Sequence, residues 1–187
     1  MKHIIQILIL SFMVLVPAGA TQAAADNDFV ARMMKQITSR PSVYPSTDYK
    51  QITVSPTMMQ SVVEMLTSGA PIAGDFSNEN KEIVSKLLRN VKSLRIFIAT
   101  ENIKNYQALA NKVLKDNKKI YTIFKSPKTG ETGPKAHIWT RQNGNRVVEI
   151  ITILDSDSDE GNKELRILNF TGEFNNDFIN LLVQMPK

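Results

Sequence analysis

Cysteine is absent from the 187 residues, and histidine occurs only at His3 and His137. The first absence removes disulfides, thiolate nucleophiles and any zinc site built on sulfur. The second removes histidine-based triads and clustered-histidine metal centres, because His3 lies in an N-terminal leader and leaves His137 without a histidine partner. There is one Trp, and no basic run is interleaved with stacking aromatics, which argues against nucleic acid as a partner. Glycine-rich phosphate cradles are also missing.

Long apolar runs are scarce. The longest, Ile4 to Val16, has about 13 residues, short of the roughly 20 needed to span hydrocarbon. It follows Lys2 and His3 and ends in small residues, the pattern of a secretory signal peptide. Cleavage fits before Thr21 or before Asp26. The later position is preferred, giving a leader over 1–25 and a single domain over 26–187. Lacking a cysteine to accept lipid, the mature chain is expected to be soluble, without a stable membrane anchor, and periplasmic or secreted. Roughly 160 residues remain, enough for one core that buries about two-thirds of the extended surface. The net charge of +5 makes the protein moderately basic toward partners outside the inner membrane.

The remaining chain alternates between two periodicities. Helical spacing of apolar residues occurs over Asp28–Thr38, from Ser55-Pro56 to Gly69, from Ser77 or Asn78 to about Val91, over Asn102–Asn117, and over Phe174–Val183. Strand alternation occurs over Lys50–Val54, Ser93–Thr100, Lys119–Lys125, Ala136–Gln142, Val147–Leu154 and Glu164–Phe170. Four consecutive strands without intervening helices predict an α+β fold: a largely antiparallel sheet with helices on one face, a two-layer sandwich. At Asn143-Gly144-Asn145 a three-residue loop with a bulge is expected, pairing Ile138 with Ile150 and Trp139 with Glu149.

Two groups of residues are candidates for binding. Tyr121, His137, Trp139 and Arg141 fall on one face of adjacent strands, an aromatic and cationic mixture suited to a sugar or peptide. Asp155, Asp157 and Asp159 place oxygens at alternate positions, as calcium requires. However, Glu160 stands where the sharp bend of a helix-loop-helix calcium site needs Gly, and Arg166 where it needs a bidentate Glu. A solvated hairpin loop is the plainer reading. Glu149, Glu164 and Glu173 are the carboxylates available for acid–base chemistry, but their spacing specifies no pair.

The passages Tyr49-Lys50-Gln51-Ile52-Thr53-Val54-Ser55-Pro56, Leu88-Arg89-Asn90-Val91-Lys92-Ser93-Leu94-Arg95-Ile96, Val148-Glu149-Ile150-Ile151-Thr152-Ile153 and Leu168-Asn169-Phe170-Thr171-Gly172 together resemble a family of exported Bacteroidetes proteins catalogued as domain of unknown function 4252. The resemblance implies a fold and no activity. Many members look like lipoproteins, and this chain departs from them in lacking the acceptor Cys. The expected function is binding or interaction with a protein, peptide or glycan, without cofactor. The alternatives are a carboxylate-based glycan hydrolase and a calcium-dependent assembly module.

Overall fold

The structure, a computed structural model, describes residues 27–67, 85, 88–124, 136–157 and 163–174. Helix α1 (Phe29–Thr38) starts at Asp28, whose extended backbone and side chain form an N-cap that accepts the Ala31 N–H at 2.8 Å. Its apolar stripe of Phe29, Val30, Met33 and Ile37 is fully buried, each side chain contributing about 1.5–3 kcal/mol relative to exposure. Strand β1 (Tyr49–Val54) leads through Ser55 into α2 (Pro56–Thr67). There the Met58 N–H reaches Ser55 Oγ at 3.3 Å, with Pro56 at the first helical position.

Strand β2 (Val91–Ala99) and helix α3 (Ile103–Asp116) follow, then β3 (Tyr121–Ile123), β4 (Ala136–Asn143), β5 (Arg146–Asp157) and β6 (Lys163–Phe174). All pairings are antiparallel, in the order β1-β2-β6-β5-β4-β3. The meander β3 to β6 thus joins β2 through its last strand, and the fold is α+β as expected. Helices α1 and α3 pack on the face that carries Phe97, Ala99, Tyr121, Ile151, Ile153, Leu165 and Ile167. The opposite face is also apolar and buried at Leu94, Ile96, Ile98, Ile150, Leu154, Leu168 and Phe170, and α2 packs on β2.

The β4–β5 hairpin corrects the expected register. Asn143 pairs with Arg146, Gly144 and Asn145 form a two-residue turn, and Trp139 lies opposite Ile151 rather than Glu149. Gly144 has φ +59 while Asn145 does not adopt a positive φ, so Gly occupies the first central position, as a type II′ hairpin turn requires. The bulge sits one step further in, between Arg141 and Gln142. The slip from the expected pairing is an even number of residues, so every side chain keeps its face.

Two strands also differ in extent from the expectation. The strand expected over Lys119–Lys125 is confined to Tyr121–Ile123, because the Ile120 and Tyr121 N–H groups turn back to the Asn117 carbonyl. Strand β6 continues through Gly172 to Phe174, the residue expected to open the last helix. Gly172 permits this: a Cβ there would collide with the Asn90 carbonyl oxygen and approach Phe174 Cζ to 2.8 Å. The rest of the closing helix and most of the helix expected near 77–91 lie outside the described residues.

Candidate functional site

The sheet face beneath α1 carries a buried polar cluster. On β5, β6 and β2, the apolar alternation is interrupted at Glu149, Asn169 and Arg95. All three lie on the α1 side, at the end of the sheet where the helix begins. Helix starts leave their first N–H groups without helical partners, and here the sheet and the N-cap residue supply them. Phe29 N–H donates to Glu149 Oε1 at 2.6 Å, Val30 N–H to Asn169 Oδ1 at 3.1 Å, and Ala31 N–H to Asp28 Oδ1 at 2.8 Å.

Glu149 is the hub. Asn169 Nδ2 donates to its Oε1 at 2.9 Å, while Arg141 Nε at 2.6 Å and the Tyr121 hydroxyl at 3.4 Å donate to Oε2. Both Glu149 and Asp28 are 0% exposed. Arg95 Nε stands 2.9 Å from Asp28 Oδ2, an ion pair in which the N–H direction misses the oxygen, so neither atom gains a hydrogen bond from it. Burial pushes the Asp28 carboxyl above the usual carboxylate range, with Glu149 adding to the rise; the Ala31 N–H, Arg95 and Arg141 oppose it without cancelling it. Burial, seconded by Glu149, likewise pushes the Tyr121 phenol upward, so Tyr121 stays a hydrogen-bond donor.

The four residues expected to form a binding face do share one side of β3 and β4, but they divide into two pairs. Tyr121 is buried, edge-on to Phe29 with ring centroids 5.9 Å apart, and Arg141 is engaged with Glu149. Trp139 is half-buried against the core, and His137 is exposed. Ile123, directly opposite Trp139 in the ladder and 43% exposed, joins these two and was not foreseen. The outward-leaning group is therefore Ile123, His137 and Trp139.

The carboxylates do not converge as a set. Glu164 pairs with Arg166 at 2.7 Å, and exposed Glu173 bridges Lys92 at 3.1 Å and Arg146 at 2.7 Å. The two that come together are Glu149 and Asp28, beneath the start of α1. Four protein donors occupy the two oxygens of Glu149, which leaves it no free face for a substrate. Asp28, Asn169 and Arg95 did not emerge from the sequence as members of a cluster. Their one legible signal is polarity at inward-facing positions of apolar strands, seen at Glu149 and Asn169.

Asp155 and Asp157 belong to the β5–β6 ladder, opposite Leu165 and Lys163, so strand β5 runs on into the stretch expected as an acidic loop. Asp159 lies outside the described residues. Among the described residues, no three metal-ligating side chains gather and no helix is long and apolar enough to cross a membrane.

An α+β domain with a six-stranded antiparallel sheet and a fully engaged internal carboxylate is the class these features define. The family described as Domain of unknown function (DUF4252) matches residues 44–182, and the chain belongs to it. No curated protein and no solved structure matches the chain.

Proposed function

We propose that the protein is an exported, soluble, non-catalytic binding domain whose ligand contacts the surface made by Ile123, His137 and Trp139. The observation that carries this reading is the cross-strand pairing of exposed Ile123 with half-buried Trp139, and exposed His137 two residues along β4. An apolar side chain, an indole and an imidazole at a sheet margin offer stacking, apolar contact and hydrogen bonding together. That combination suits a peptide or a glycan outside the inner membrane. The saturated coordination of Glu149 favours binding over carboxylate catalysis. Export rests on the leader pattern of residues 1–25, which precede the family-matched region.

Trp139 is the single tryptophan, so its emission reports this surface directly. Glycan and peptide panels titrated against the protein are expected to yield a ligand that shifts or quenches that emission. His137→Ala and Ile123→Ser should each weaken binding of that ligand by about tenfold, a difference of about 1.4 kcal/mol. A ligand that binds by calorimetry with unchanged Trp139 emission and equal affinity for both variants would place the site elsewhere.

A further inference from the structure

Among the described residues, the terminal strand β1 presents an unpaired, self-complementary edge. Thr100 N–H donates to the Asp48 carbonyl at 3.0 Å, in the same register that pairs Tyr49 with Ala99 and Val54 with Leu94. In an antiparallel ladder, hydrogen-bonded and non-bonded pairs alternate. Asp48, Lys50, Ile52 and Val54 therefore turn their backbone groups toward β2, and Tyr49, Gln51 and Thr53 turn theirs outward. Among the described residues no strand pairs with that outer side, and Lys50 and Gln51 are exposed.

We infer that β1 is a homodimerisation edge, on which β1 of a second copy pairs antiparallel about a two-fold axis at Gln51. The axis sets Gln51 opposite the partner's Gln51, and Tyr49 opposite the partner's Thr53. These are the residues with outward backbone groups, so three pairs form, each exchanging two hydrogen bonds. Self-complementarity singles out a second copy as the occupant. The only charge on the strand, Lys50, falls opposite the partner's Ile52, so no like charges meet; an axis at Lys50 would set the two lysines opposite each other, and a register opposing outward-facing to inward-facing residues would form no ladder. The result is a continuous twelve-stranded sheet with α1 and α3 of both copies on the same side. A closed two-fold dimer also covers a long edge that would otherwise template open-ended association.

Two variants of the full chain test this. Gln51→Pro removes an outward N–H without touching the bonds to β2, since edge strands accept proline where the N–H faces away. Gln51→Glu sets two carboxylates opposite each other at the axis. Sedimentation equilibrium is expected to show a monomer–dimer equilibrium for the wild type and a monomer for Gln51→Pro. Gln51→Glu should be monomeric at neutral pH and regain dimerisation below the carboxyl pKa. Amide exchange at Gln51 and Thr53 should slow with increasing protein concentration, while Lys50 and Ile52 stay constant. A wild type that sediments as a monomer throughout, or dimers that persist in folded Gln51→Pro and Gln51→Glu, would overturn the inference. Should Gln51→Pro fail to fold, Gln51→Glu and the exchange data decide by themselves.

Discussion

Glu149 Oε1 lies 2.6 Å from the backbone N of Phe29, so a carboxylate in the middle of β5 caps a helix that begins 120 residues earlier in the chain. The contact ties α1, which precedes the family-matched region, to that region's sheet. It also accounts for a buried charge in an otherwise apolar strand. The cost of desolvating Glu149 is offset by four donors, two of them on side chains that the sequence grouped as a binding face.

Removal of this hub is expected to be severe. Glu149→Ala leaves the Phe29 N–H and Asn169 amide buried without partners and strands Arg141, whose side chain is 30% exposed. Breaking a buried pair from one side costs about 3–5 kcal/mol. Glu149→Gln keeps the shape and an acceptor for Phe29, so its loss should be smaller. Urea unfolding of both variants measures the ordering, and equal stability of Glu149→Ala and wild type would contradict the structure.

Asp28 predicts a pH effect of definite sign. Its folded-state pKa is raised above the ordinary value of 3.8, so the folded protein holds this proton more tightly than the unfolded chain. The associated stability is fully present below the ordinary pKa and is lost as pH rises through the raised one. Asp28→Asn keeps a good N-cap and abolishes the titration. Denaturation midpoints of wild type minus Asp28→Asn, taken from about pH 4 to neutrality, should therefore fall with increasing pH. A flat or rising difference would show that Asp28 is not held as described.

Gly172→Ala tests the close approach of two chain segments. The new methyl meets the Asn90 carbonyl and the Phe174 ring, and backbone cannot withdraw as a flexible side chain can. Overpacking of this kind costs typically about 1–3 kcal/mol. A lowered melting temperature is expected, with the far-ultraviolet spectrum retained.

Asn102 starts α3 in the left-handed region, φ +47, and its amide donates to buried Asp48 Oδ2 at 2.7 Å. Asn102→Gly should retain the backbone and lose the hydrogen bond; Asn102→Ala loses both. The expected stability order is Asn, then Gly, then Ala, with about 1–2 kcal/mol from the left-handed backbone alone. Thermal melts of the two variants read this directly.

Tyr106 should ionise late. Burial, with Asp48 next in weight, pushes its phenol up to about 12, and its hydroxyl donates to the Pro45 carbonyl at 3.3 Å. An alkaline titration followed at this residue by NMR is expected to show no phenolate below about pH 11. Ionisation near the ordinary value of 10.0 would mean that the aromatic group formed with Tyr44, Tyr49 and Phe97 is open to water.

The six strands and the helices α1, α2 and α3 were legible in the sequence because period and punctuation are local. Ser55-Pro56 marks a helix start, Asn143-Gly144-Asn145 marks a turn, and side-chain alternation assigns faces whatever the partner strand. Hence the hairpin could slip by two residues between expectation and structure and still keep Trp139 and Arg141 on their face.

What only the tertiary structure decided is non-local. The sequence by itself determined that Tyr121 and Arg141 share a side with Trp139 and His137. It carried no term for α1 settling over the first two, so an apparent surface quartet became half buried network and half surface. The same holds for β6 inserting between β2 and β5, and for an N-cap shared among Asp28, Glu149 and Asn169. Hydrogen-bond demand at a helix end is local; which distant side chains meet it depends on the packing that brings strand and helix together.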